Sequence, residues 1–356
     1  MKRQLVQILS ITILICSISY AGNKSAFQYT SSSDCSPIRT DLPPNPASKI
    51  KHYDMDGLMM CTAYSNCYAA DAERLRRNPN LNHLTSPLYL GIQYAKNKNQ
   101  TSLVITDEFG ISKSIRNMKS CSYDVVGDTF LNQKNGPFLS SIYSDSKQKN
   151  AYSLQCQLKA AFPSFNSINN VNNYLSAPNI VDFASKVFSD ACQADTNDLS
   201  DLPELVSETT SKFGSNRLAA VNSFRNTLNS NLATGKPVGI NYCQLALKNP
   251  SIKGISEDGT PNPDTCSIGI SDECKVDKSK CFDGHSSNIV GRRLLKYKDG
   301  NTEKAICQYL VRDVYGSSCS KYPDDPSSNP SNTCEDGSVW MDEDAILFNT
   351  YETFHY

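Results

Sequence analysis

From Asp54 to Ala233 the apolar residues fall at helical spacing in several separate stretches. The turn formers Asp54, Asp56 and Gly57 precede a run rich in Ala, Leu and Arg that Asn78-Pro79-Asn80 stops. A helix is therefore predicted from about Cys61 to Arg77. Ser86-Pro87 opens a second, shorter helix carrying Leu88, Leu90, Ile92 and Tyr94. Ile111, Ile115 and Met118 form one face of a third, after Glu108. Apolar residues at 180, 183, 184, 187, 188 and 191 make an amphipathic helix capped by Asn179. Leu218, Val221, Phe224, Leu228 and Leu232 repeat that pattern before Gly235 ends it. Ser102 to Asp107 is short and β-prone.

The N-terminus has a different pattern. Met1-Lys2-Arg3 leads into a mostly apolar run from Leu5 to Ile18, and Ser19-Tyr20-Ala21 ends in small residues. That is the form of a secretory signal peptide over residues 1–21. The run falls short of the roughly 20 apolar residues of a membrane anchor, so a chain that does not span a membrane is expected. Residues 22–50, with Pro37, Pro43, Pro44 and Pro46, read as an extended arm that Cys35 staples to the body. An exported destination follows: periplasm, cell surface or medium.

Composition narrows the function classes. The net charge is −1 and charged residues make up 20% of the chain, so no basic face points to nucleic acid. The acidic stretch Asp195 to Asp201 lacks the glycine and closing glutamate of a calcium loop and is expected to be solvated. Cys266, Cys274 and Cys281 lack the short Cys-x-x-Cys spacing that zinc prefers, so disulfides are expected there. Cys121 is expected to be paired, and Cys319 to Cys334 reads as a stapled loop. There are 14 cysteines, one of them, Cys16, in the leader; the odd remainder calls for at least one thiol, with six bridges accounting for the others.

Cys61 falls in the first turn of its helix, where unpaired N–H groups and the positive dipole end favour a thiolate. A nucleophilic thiol needs a base, and the base needs a third group to hold its tautomer. His285, at the start of the apolar run His285 to Gly291, and Asp313, after Tyr309-Leu310-Val311-Arg312, supply those roles in chain order. His52 and His83 lie in turn-like segments and are expected at the surface.

These residues carry a resemblance. Cys61-Thr-Ala-Tyr-Ser65 is similar to the Cys-Trp-Ala-Phe-Ser of papain-like cysteine peptidases, here of a divergent exported bacterial kind. Leu84-Thr-Ser-Pro-Leu-Tyr-Leu90 resembles that family's Leu-Ser-Pro-Gln-x-Leu segment, and Gly235-Lys-Pro-Val238 its Gly-Pro-Val strand. Gly284-His285 through Gly291 resembles Gly-His-Ala-Val-x-x-Val-Gly. Tyr309 to Gly316 resembles Tyr-Leu-Val-Arg-Asn-Ser-Trp-Gly, and Gly337 to Leu347 the closing Gly-x-x-Trp-x-x-x-x-x-Leu. The motifs cover roughly residues 54–94 and 235–347.

The resemblance implies an α+β, papain-like two-lobed fold: a helical lobe over 51–126 and a twisted antiparallel, β-barrel-like lobe over 235–356. Residues 127–234 match no motif and read as a helical insertion. The implied activity is hydrolysis of a peptide or protein substrate by a Cys61 thiolate, with His285 as acid and base and Asp313 orienting it. No metal or organic cofactor is implied. Met55 stands where the family has the glutamine that donates to the oxyanion, leaving the Cys61 backbone N–H as donor and predicting a slow enzyme. Asp313 stands in place of Asn, and Tyr315 in place of the shielding Trp. The competing reading is an inactive papain-like protein that binds peptides or a partner.

Overall fold

A computed structural model describes residues 35–55, 60–102, 108–124, 126, 171–192, 196–213, 216–243, 247, 284–299, 301–319 and 333–356. The chain divides into two compact units, Met1–Ser36 and Pro37–Tyr356. In the first, only Cys35 and Ser36 are described, and Cys35 is disulfide-bonded. The leader, the β-prone stretch at 103–107 and Cys266, Cys274 and Cys281 lie outside the described residues.

The second unit is α+β. Its central helix, α1, is Cys61–Arg77 and is buried at every residue from Thr62 to Leu75. A helix with no wet face must run through protein on all sides. Its alanines permit that close approach, and Arg74, Arg76 and Arg77 in the last turn complement the negative dipole end. Asp71 is tolerated inside because it is fully engaged. It accepts from Thr85 N at 2.6 Å, Thr85 Oγ1 at 2.8 Å and Arg74 Nη1 at 2.9 Å.

Helix α2 spans Pro87–Asn97, with Ser86 Oγ accepting from Tyr89 N at 3.1 Å as its cap. Helix α3 is Glu108–Ser114. Strand β2, Lys119–Cys121, pairs antiparallel with β3, Thr196–Asp198. The stretch expected to be an acidic solvated loop therefore contains a short strand, recruited by β2. After α4 (Val171–Leu175) comes α5, Ile180–Ala191, where Asn179 Oδ1 caps Asp182 N at 2.8 Å. Its apolar stripe buries Val181, Phe183, Ala184, Val187 and Phe188. Cys192, directly after it, is bridged to Cys121. Helix α6, Arg217–Ala233, follows strand β4, Val206–Thr209.

The remaining elements are β5 (Val238–Cys243), β6 (Gly284–Asp299), β7 (Thr302–Arg312), β8 (Thr333–Glu335), β9 (Ser338–Asp342), α7 (Glu343–Asn349) and β10 (Thr350–His355). They form an eight-stranded sheet in the order β4-β10-β5-β6-β7-β9-β8, with β1 (Ile38–Arg39) added on β6. The sheet is open. The barrel-like closure expected from the sequence is absent among the described residues, where β4 and β8 end the order. Strand β4 lies within the stretch expected to be a helical insertion; pairing with β10 gives it a template. The arm expected to be extended likewise lends β1 to the sheet. A register shift between Ile289 and Gly291 marks where β6 turns from β5 toward β1. There Val290 O accepts from Thr40 N at 2.7 Å and Thr40 Oγ1 at 2.9 Å. Cys319 is bridged to Cys334, as the loop pattern predicted.

One buried acid sits in this sheet. Glu352 of β10 faces Asn241 of β5, which donates to its Oε2 at 2.5 Å. Burial pushes its carboxyl up to about 7, against the Asn241 hydrogen bond and the Lys113 charge. A raised carboxyl pKa favours the fold below the ordinary value of 4.5, an advantage lost as pH rises through about 7. Glu352→Gln is thus expected to be more stable than the parent at pH 8, by up to about 3 kcal/mol, and nearly equal at pH 5. Its new N–H₂ also suits Asn241 Oδ1, which is buried with no hydrogen-bond partner among the described residues. Denaturant melts at the two pH values check this; equal differences at both would refute it.

Candidate active site

The N-terminus of α1 is built to carry an anion. Met60 occupies the cap position with no side-chain cap bond, and the first turn contains no acidic residue. Positive dipole and open N–H groups therefore act on Cys61 without a competing carboxylate. Cys61 is half-buried.

The imidazole of His285 arrives from β6. Pairing of β5 with β6 sets Tyr242 opposite His285, and pairing of β7 with β6 sets Arg312 opposite Asn288. Asp313, one residue past β7, thereby meets the start of β6. His285 Nε2 lies 2.6 Å from Asp313 Oδ1. That leaves Nδ1 as the ring nitrogen free to interact with the Cys61 side chain, whose influence on His285 and its own response are seen in their shifted pKa values. Tyr315 stacks on the imidazole at 5.6 Å and 9°, and Tyr242 meets it edge-on at 5.7 Å and 73°.

The electrostatics follow from this contact. Burial raises the Cys61 thiol, but the hydrogen bond and charge of His285, the Ser286 backbone N–H and Thr62 outweigh it, and the net shift is downward. Burial lowers His285, but Asp313 and Cys61 outweigh it and hold the imidazole well above 6.5. Both shifts act in the same sense, favouring a thiolate beside an imidazolium.

A latch fixes helix against strand. Ser65, one turn after Cys61, donates from Oγ to Ser287 O at 3.0 Å. Asn288 Nδ2 returns bonds to Ser65 O and Oγ, each at 3.1 Å. All of these residues are buried.

The segment before α1 runs beside the Asp313 turn. Met55 N donates to Val314 O at 2.9 Å and Gly316 N to Tyr53 O at 2.8 Å. Gly316 has φ +79°, and a Cβ there would come within 3.1 Å of Asp54 Oδ2, so glycine is required. Met55 itself is 5% exposed and belongs to the apolar core.

The structure thus brings Cys61, His285, Asp313 and Tyr315 together and places Met55 in the core beside them. Ser65, Ser287 and Tyr242 were not picked out from sequence. For Ser287 a signal existed, since it lies two residues beyond His285 on the same strand face; for Tyr242 none did. Two other expectations fail. Cys61, Cys67 and Cys243 all carry thiols, so one thiol with six bridges does not describe the chain. Cys67 is buried in α1 and donates from Sγ to Thr85 O at 3.2 Å, serving as a small core residue. His52 is half-buried rather than at the surface, and burial followed by the Arg312 charge lowers its pKa to about 4.

No family model matches the sequence, and no curated protein does. Solved structures do. Xylellain, a cysteine protease from Xylella fastidiosa, is 13% identical with a TM-score of 0.44, covering 92% of this chain and 90% of its own. PepW from Lactobacillus rhamnosis is 10% identical with a TM-score of 0.44, covering 99% and 90%. ProCathepsin B from Trypanosoma congolense is 9% identical with a TM-score of 0.39, covering 89% and 75%.

Proposed function

We propose that this chain is an exported cysteine peptidase. The observation that carries the reading is the convergence of a half-buried Cys61 at a helix N-terminus with the buried, hydrogen-bonded His285–Asp313 pair that shifts its pKa. Disulfides at Cys121–Cys192 and Cys319–Cys334 suit an oxidising compartment.

In the mechanism, the Cys61 thiolate attacks the carbonyl carbon of a peptide bond. The oxygen becomes an anion that the Cys61 backbone N–H receives at the start of α1. His285 gives its Nδ1 proton to the leaving amine and then takes one from the water that hydrolyses the acyl-enzyme. Asp313 holds the Nε2 side of the ring throughout, and Tyr315 covers one face.

A mechanism-directed peptidyl alkylator tests the reading. It should label Cys61 alone, at pH values below the ordinary thiol range, and prior denaturation should abolish that selectivity. Equal labelling of Cys67 would end the proposal. A labelled chain that cleaves no peptide in a mixed library would point instead to a peptide-binding protein.

Asp313→Asn is expected to fold, since an amide oxygen can accept the same three bonds from His285, Ser287 and Val314. It removes the charge that raises His285, so the alkaline limb of kcat/KM should move acidward. A limb that stays in place would exclude Asp313 as the orienting group.

A further inference from the structure

Asp313 is also gripped from the side away from Cys61. Its Oδ1 accepts from His285 Nε2 at 2.6 Å, from Ser287 Oγ at 2.9 Å and from the Val314 backbone N–H at 2.8 Å. Ser287 has one hydroxyl proton, and this bond uses it. Toward the Tyr242 hydroxyl, 3.1 Å away, Ser287 Oγ can therefore only accept, and Tyr242 donates. A directed series runs from Tyr242 to Ser287 to Asp313, and all three residues are buried. Burial, and then the Asp313 charge, hold the Tyr242 phenol well above its usual value, so the donor proton stays in place.

The register explains why these residues meet. Tyr242 is paired with His285, and Ser287 follows His285 by two, so all three share one face of the sheet. The Tyr242 ring therefore touches the imidazole while its hydroxyl reaches the serine.

We infer that Ser287 and Tyr242 are positioning residues for the Cys61–His285 pair, acting through Asp313; this inference rests on the peptidase reading. A buried carboxylate held by one strong partner can swing with it. One held by three donors on the same oxygen is fixed, and it fixes the direction in which the imidazole presents Nδ1 to sulfur. The titratable groups facing the His285–Asp313 pair are Cys61 from α1, Tyr242 from β5 and Tyr315 beyond β7. Ser287 carries no charge, so its removal changes the pair through the position of Asp313 and the loss of one donor to its carboxylate, and the sign of the His285 shift tells the two apart.

The test uses the full chain and two readouts: the NMR titration of the His285 ring, and kcat with KM on a cleaved library peptide. In Ser287→Ala the His285 titration should move to lower pH, part of the way toward that of Asp313→Asn, because the 2.6 Å contact loosens. Loss of one buried hydrogen bond predicts a fall in kcat of about fivefold to tenfold with KM unchanged. Ser287→Thr keeps the hydroxyl and should restore both. Tyr242→Phe keeps the ring and should give a smaller shift of the same sign. In an Asp313→Ala background, Ser287→Ala should cost nothing further.

An unmoved titration in Ser287→Ala, a shift to higher pH, or an additive loss over Asp313→Ala would each overturn the inference. A shift to higher pH would mean that Ser287 merely competes with His285 for the oxygen. If Ser287→Ala does not fold, Tyr242→Phe decides, and an unmoved titration there overturns it as well. A wild type whose Cys61 is not alkylated below the ordinary thiol range removes the peptidase reading and this inference with it. Normal low-pH alkylation with an unmoved Ser287→Ala titration removes the inference alone.

Discussion

Cys61→Ser should lower kcat for peptide hydrolysis by roughly 10⁴-fold or more while leaving the fold and KM nearly intact. The site is tuned to a thiol. Its helix dipole, the Ser286 N–H and the His285 imidazolium all favour an anion at the first residue of α1. A serine hydroxyl ionises far above a thiol, and these groups would not suffice to make it an anion. His285→Ala should cost a similar factor, and the double variant little more, because nucleophile and base act as one unit. Single-turnover and steady-state assays on a library-derived peptide check this. If Cys61→Ser keeps a tenth of the activity, the nucleophile is elsewhere. Additive losses in the double variant would separate the two residues functionally.

Met55→Gln is expected to raise kcat by about 10²-fold with little change in KM. A side-chain donor added to the oxyanion acts on the transition state and not on the bound substrate. The position is favourable, since the Met55 backbone is bonded to Val314, next to Asp313 and Tyr315. It also carries a cost. Met55 is 5% exposed within the apolar core, so an amide there loses water and destabilises the fold by about 2 kcal/mol. Activity and melting temperature should therefore move in opposite directions. Labelling of Cys61 by a simple alkylator should stay unchanged, because alkylation builds no oxyanion. A less stable variant with no gain in kcat would mean that the amide points into the core. A wild type that is already fast would mean that another donor serves the oxyanion.

The sequence revealed those parts of the fold whose cause is local. The α5 stripe and its Asn179 cap could be read directly, because burial of one face leaves its period in the residues. The start of α1 was legible from the turn formers before Cys61, and α2 from Ser86-Pro87. Cys61, His285 and Asp313 could be named because each lies in a recognisable stretch. What makes them neighbours, the β5–β6 and β6–β7 registers, depends on pairings between distant segments and leaves no mark at any one position. Tyr242 was invisible for that reason. The open sheet and strand β4 were missed because a four-residue edge strand owes its conformation to β10. The thiol count went wrong because Cys67 is kept as a thiol by its buried place in α1, which parity cannot show.

The Cys121–Cys192 bridge bears on how this chain can vary over evolutionary time. It joins the end of β2 to the residue after α5, closing a span of 71 residues into a ring. Doubling the length of a flexible loop costs only about 0.6 kcal/mol once its ends are held. With its two ends held by the bridge, that span can change in length at small entropic cost, provided the buried stripe of α5 is kept. The bridge sets a boundary between sequence bound by chemistry and sequence open to drift or to new specificity. The stretch without a familiar motif, 127–234, begins inside that ring and runs past its end at Cys192.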